Sequence, residues 1–187
     1  MERKTTEVNI TLELNINGKG KSNIKTHIKF LDHLLTTLAK HSLFDLTVKA
    51  EGDLKHHISE DVALALGEAL NQALADKKGI RRFGSAFVPM DEALARAAVD
   101  LSGRPYANLD LKLGQLKIED LKTEDITHFL ISFAQTAKLS LHLTVLYGTN
   151  EHHKIEAAIK ALAIALREAV TPDPRRADEV PSAKGVL

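Results

Sequence analysis

The segment His56-His57-Ile58-Ser59-Glu60 returns as His152-His153-Lys154-Ile155-Glu156, which constrains this chain to build one kind of unit twice. A lone histidine precedes each copy at nearly the same distance: His33 lies 23 residues before His56, and His128 lies 24 before His152. Apolar context repeats as well. Leu46-Thr47-Val48 comes back as Leu143-Thr144-Val145 at an offset of 97, against 96 for the histidine pairs. Duplication explains these matched offsets better than chance does. The expectation is a single unit over 1–187 made of repeat halves at approximately 1–90 and 91–187.

The hydrophobic periods repeat in the same order. Val8, Ile10, Leu12, Leu14 and Ile16 alternate with polar residues, the pattern of a half-buried strand, and 25–29 is read as continuing that sheet. Phe30 to His41 switches to a helical period, Leu43 to Lys49 reads as a strand, and Ile58 to Leu74 as a helix with Val62, Leu66, Ala69, Leu70 and Ala73 inward. In the second half, Thr127 to Ala137 reads as a helix, Leu139 to Leu146 as a strand and His153 to Val170 as a helix. Further strands are read at Ala86 to Val88 and Leu94 to Leu101, whereas the Pro-rich, polar tail from Thr171 is not helical. The fold class is α+β: an internally duplicated two-layer sandwich, two pseudo-symmetric halves with helices covering one face of each sheet.

Charge and composition narrow the function. Lys+Arg and Asp+Glu number 25 each, so no net field draws the chain to nucleic acid or an anionic membrane. Without cysteine there are neither disulfides nor thiolate ligands. The N-terminal MERKTTEVNI lacks the apolar stretch of a secretory signal, and no run approaches a membrane span, so a cytoplasmic protein is expected.

In each repeat the first histidine and the glutamate are four residues apart, on one face of a helix. Six imidazoles and two carboxylates in two matching sets point to a site for two metal ions. Adjacent histidines on a helix diverge by roughly 100°, so one pair serves two ions, with the glutamate joining the first histidine. Imidazole suits several divalent metals, and the carboxylates draw the choice toward harder ions such as Mn(II). Each pair sits at or just before a helix start, where the dipole disfavours imidazolium. His27, His41 and His142 fall outside this scheme; His27 and His142, read as strand residues, are given structural roles.

Many blocks of the chain resemble, in one order and over nearly the full length, the imidazoleglycerol-phosphate dehydratase family of histidine biosynthesis. They are Phe30-Leu31-Asp32-His33-Leu34-Leu35, Glu51-Gly52-Asp53-Leu54, His56-His57-x-x-Glu60-Asp61, Gly79-Ile80-Arg81-Arg82-Phe83-Gly84 and Pro89-Met90-Asp91-Glu92-Ala93-Leu94. Asp100-Leu101-Ser102-Gly103-Arg104-Pro105, Asn150-Glu151-His152-His153-Lys154-Ile155-Glu156-Ala157 and Pro181-Ser182-Ala183-Lys184-Gly185 complete the set.

The resemblance implies a manganese-dependent hydro-lyase that dehydrates imidazole glycerol phosphate to imidazole acetol phosphate. It implies a homo-oligomer of 24 subunits with active sites between chains. One Mn(II) would take His33, His57, His152 and Glu156, and the other His56, Glu60, His128 and His153. Glu7 matches the proton-transferring carboxylate, His41 a substrate-pocket position, and Arg82, Arg104, Lys160, Ser182 and Lys184 the phosphate grip. The reaction calls for such a site because no carbonyl activates the proton to be removed. Ions on both ring nitrogens of the substrate would let its imidazole push out the adjacent hydroxyl.

Two departures stand out. Lys55 replaces the family's Asp directly before the first histidine pair, in a segment a few residues shorter, and Gln135-Thr136-Ala137-Lys138 replaces an Asn/Gly-bearing turn. Two other readings also involve metals. A two-metal hydrolase would need ions ~3.5–4 Å apart with a bridging ligand, which His-rich sets without bridging Asp do not favour. A cage merely bolted together by metal would not need Arg82 or Lys184.

Overall fold

Alternating side chains fix the two sheets. The computed structural model describes residues 1–177 and 179–187. In chain order its elements are β1 (Glu2–Lys4), β2 (Val8–Asn15), β3 (Ser22–Lys25), α1 (Lys29–Ser42), β4 (Asp45–Gly52) and α2 (Lys55–Ala73). Then come β5 (Phe83–Met90), β6 (Ala93–Asp100), β7 (Tyr106–Asp110), β8 (Lys117–Ile118), β9 (Leu121–Lys122), α3 (Thr123–Thr136), β10 (Ser140–Tyr147) and α4 (Glu151–Val170).

The first sheet has the order β1-β2-β4-β3 and the second β5-β6-β10-β7. Their pairing directions match strand for strand. β2 is antiparallel to β4, as β6 is to β10, and β3 is parallel to β4, as β7 is to β10. Each half is therefore a sheet with two helices on its inner face. Val8, Ile10 and Leu12 of β2 and Leu46, Val48 and Ala50 of β4 point inward, as do Ala95, Ala97, Leu141, Leu143 and Val145 of the second sheet.

The helices of the two halves meet in the middle, α1 against α4 and α2 against α3. Gly67 shows how close the second pair comes: a Cβ there would lie 2.5 Å from Phe133 O and 2.8 Å from Ala137 N, and would also strike Thr136 Oγ1. Only glycine permits that approach. Because His56 and Glu60 meet His128 at one end while Gly67 meets Phe133 further along, α2 and α3 run side by side in the same sense.

Several elements differ from the sequence expectation, each for a physical reason. The strand expected over 25–29 ends at Lys25. His27 adopts φ 63° in the turn that follows, and α1 begins at Lys29 because Asp120, distant in sequence, accepts hydrogen bonds from Lys29 N (3.0 Å) and Phe30 N (2.9 Å). His27 is consequently a turn residue, not a strand residue. The other helices also start earlier than their apolar stripes, α4 at Glu151 with Asn150 Oδ1 accepting from His152 N and His153 N. β1, β7 and the small β8–β9 hairpin were not anticipated; β1 and β7 carry few strongly apolar residues, and the hairpin strands are two residues each. Among the described residues no helix is long and apolar enough to cross a membrane.

Candidate metal centre

Two compact groups of donors lie at the helix starts, each joining one half to the other. His33 of α1 meets His152 and Glu156 of α4; His56 and Glu60 of α2 meet His128 of α3. In the first group, His33 Nε2 and His152 Nε2 lie 3.2 and 3.3 Å from the same Glu156 Oε2. In the second, His56 Nε2 is 3.8 Å from Glu60 Oε2 and His128 Nε2 is 3.7 Å from Glu60 Oε1. The His56 and His128 rings stack at 5.2 Å. Bonds of about 2.1 Å to one ion at right angles place two donors about 3 Å apart, so both sets suit a common cation with little movement.

Carboxylates behind the rings set their orientation. Asp125, almost fully buried, is 2.7 Å from His56 Nδ1, which leaves Nε2 turned toward Glu60. Glu119, in the β8–β9 turn, lies 3.4 Å from His152 Nδ1. Glu156 is partly buried, which opposes its ionisation, but hydrogen bonds from Lys160 (2.7 Å) and His33 outweigh burial and bring its pKa down to about 2. It is an anion at any working pH, ready for a cation.

His57 and His153 lie outside these groups, so three of each four expected ligands come together within one chain. Each holds a carboxylate instead: His57 Nδ1 is 2.8 Å from Asp53 Oδ1 and 3.8 Å from Glu7 Oε2, and His153 Nδ1 is 2.7 Å from Glu92 Oε2. The Asp53 hydrogen bond raises the His57 pKa and the Glu92 hydrogen bond raises that of His153. At these two positions a carboxylate in direct contact opposes the effect of the helix dipole. In return, the His153 hydrogen bond and the Asn150 amide bring Glu92 down to about 2.

The expected substrate residues fall into two places. Lys160 and His41 belong to the Glu156 side; burial and the nearby Lys160 charge lower the His41 pKa. Arg82, Arg104, Ser182 and Lys184 gather instead around the C-terminal tail. Arg82 donates to Asp100 Oδ1 (2.7 Å), Asp100 Oδ2 (3.1 Å) and Pro181 O (2.8 Å), leaving two of the five guanidinium donors uncommitted among the described residues. Ser182 Oγ accepts from Lys184 N, and Gly103, at φ 76°, turns the chain ahead of Arg104 and packs against Leu187.

Sequence reasoning missed Asp53, Glu92, Glu119 and Asp125. Asp53 and Glu92 stood inside motif blocks and Asp125 three residues before His128, but only the fold shows which ring each one faces.

A duplicated α+β scaffold that presents two His/Glu groups between its halves defines a class of protein with two candidate metal sites. Comparison makes it specific. Residues 26–166 match the sequence model of imidazoleglycerol-phosphate dehydratase. Curated relatives of that name include the Dehalococcoides mccartyi protein, 49% identical over all of this chain and 95% of that one, and the Acetivibrio thermocellus protein, 52% identical over all of this chain and 97% of that one. The crystal structure of the Pyrococcus furiosus enzyme superposes with a TM-score of 0.87 at 38% identity, covering 100% of both chains. The Staphylococcus aureus enzyme gives 0.82 at 35% identity over 92% of this chain and 98% of that one. This chain belongs to the imidazoleglycerol-phosphate dehydratase family, the hydro-lyases of histidine biosynthesis.

Proposed function

We propose that the chain converts imidazole glycerol phosphate to imidazole acetol phosphate with two Mn(II) ions per active site, as a cytoplasmic homo-oligomer of 24 subunits. The observation that carries this reading is the pair of His/Glu groups, each completed by helices from opposite halves, in a chain matched to the family along its whole length. His33, His152 and Glu156 would hold one ion; His56, Glu60 and His128 the other. Their nitrogen and carboxylate donors suit a borderline-to-hard divalent cation such as Mn(II).

His57 and His153 complete the two sets, the first joining the Glu156 group and the second the Glu60 group. Both are partly exposed and separate from the groups of their own chain, so they meet the ions of neighbouring subunits. When bound, the ions supply Lewis acidity and a template for the substrate's imidazole ring. Glu7, beside His57, takes the carbon-bound proton as general base. Lys160 and His41 line the substrate on the Glu156 side. Arg104, Lys184 and Ser182 grip the phosphate together with Arg82. The neutral net charge fits a small-molecule enzyme with no nucleic-acid or membrane partner.

The test is conversion of imidazole glycerol phosphate to the phosphorylated ketone by the purified protein, alongside Glu7→Gln. The variant should bind substrate and turn over poorly. Near-normal turnover would remove Glu7 from its role, and no product from the unaltered protein would remove the reaction. Light scattering after metal removal addresses shared ligands: the assembly should weaken, and an unchanged mass would exclude that part.

A further inference from the structure

The β8–β9 hairpin is too short to stabilise itself, yet it touches all four helices that bear ligands. Ile118 and Leu121 are buried and anchor it. From its turn, Asp120 uses both carboxylate oxygens on the first amides of α1, Lys29 N and Phe30 N, four and three residues before His33. Lys55, the first residue of α2 and the neighbour of His56, donates its Nζ to Asp120 O at 2.9 Å and to Asp120 Oδ2 at 3.2 Å. Glu119 faces His152 Nδ1 at the start of α4. The chain then leaves the hairpin directly into α3, whose Asp125 orients His56.

These contacts form one linked path from the Glu156 group to the Glu60 group. Lys55–Asp120 links the start of α2 to the start of α1 through the hairpin. We propose that the hairpin is a clamp that fixes the spacing of the two metal centres, with Lys55 and Asp120 as positioning residues. Lys55 is the residue where this chain departs from the family's Asp. Asp53 faces His57 and Asp125 faces His56, while Lys55, beside the pair, reaches the hairpin. Asp120 can serve both neighbours because its two oxygens diverge: Oδ1 serves the Phe30 amide, while Oδ2 lies between the Lys29 amide and the ammonium.

The clamp rests on the metal reading given above, and the experiment separates the two. Metal-free full-length protein is titrated with Co(II), whose d–d absorption reports coordination geometry and whose titration reports affinity. The unaltered protein should take about two ions per chain. Lys55→Met should fold, since the side chain is half exposed, with its metal-free melting midpoint little changed. Its Co(II) affinity should nonetheless fall by about 10-fold, the low end of what removing a direct hydrogen-bond partner of a ligand costs, because Lys55 acts one contact further out, and the d–d band should be altered. Asp120→Asn should change both in the same direction, and Lys55→Arg, which keeps charge and donors, should restore affinity to within a few-fold. Affinity and spectrum unchanged in both Lys55→Met and Asp120→Asn would overturn the clamp and leave the metal sites standing, as would a Lys55→Arg no better than Lys55→Met. Absence of a d–d band in the unaltered protein would overturn the metal reading and the clamp with it.

Discussion

Replacing Gly67 by alanine sets two effects against each other at the seam between the halves. Glycine inside a helix costs about 1 kcal/mol relative to alanine, so propensity alone favours the change. Packing opposes it. The new methyl would sit 2.5 Å from Phe133 O and 2.8 Å from Ala137 N, and ordinary contact begins at 3.4 Å, so α3 must recede by about 0.9 Å. Both neighbours are backbone atoms that cannot rotate away. Overpacking of this kind costs about 3 kcal/mol at the upper end of its range, which leaves a net loss of about 2 kcal/mol. For a chain of this length that is a fall of about 4–8 °C in melting midpoint, measured on the metal-free protein at fixed concentration. The double variant Gly67→Ala with Thr136→Ala removes only the side-chain clash and should recover part of the loss. The displacement also reaches the site. Glu60 and His56 lie about 10 and 16 Å along α2 from Gly67, so separating α2 from α3 should weaken ion binding at the Glu60 group and spare the Glu156 group. A variant that melts at or above the parent, with both ions bound as before, would refute the close-packing argument.

Other perturbations follow from single contacts. In the metal-free protein the Glu92–His153 pair gives a defined pH window. The raised His153 favours the folded chain below its ordinary value of 6.5, and that contribution is lost as pH rises through the folded pKa. The depressed Glu92 contributes above 4.5 and loses its effect as pH falls toward about 2, so the pair is at full strength between 4.5 and 6.5. Glu92→Gln should therefore bring the His153 titration, followed by NMR, down toward 6.5; an unmoved titration would show that Glu92 is not its partner. Lys138 adopts φ 51° in the turn after α3, where a left-handed side chain costs about 1–2 kcal/mol. Lys138→Gly should raise the melting midpoint by about 2–4 °C, the net of that relief and glycine's extra freedom when unfolded. A lower midpoint would mean the Lys138 side chain holds the turn.

The duplication was legible because it is written in residue types with strong requirements: imidazoles and carboxylates at fixed spacing, and inward apolar residues at strand and helix periods. For the same reason Val8 to Asn15 and the ligand-bearing helices emerged close to their observed places. Helix starts were less legible, since Asp120 caps α1 from about 90 residues away and no local signal marks it. β7 was obscured by Tyr106 and Asn108, which point outward on a strand with little buried apolar surface. The first histidine and the glutamate of each repeat did meet as their four-residue spacing implied. The second histidines did not join them within the chain, because side-chain direction on a helix sends consecutive residues to different faces and their nearest partners, Asp53 and Glu92, come from the preceding loop and the β5–β6 turn. Lys55 illustrates the opposite case: as sequence it was only a departure from a pattern, and the fold supplies its partner in Asp120.

The decisive measurement is turnover of imidazole glycerol phosphate by protein stripped of metal, then resupplied with Mn(II). No product should form without metal, and activity should rise as Mn(II) is added and saturate at two ions per active site. Full activity in the stripped protein, or two tightly bound ions with no product, would contradict a metal-dependent dehydration.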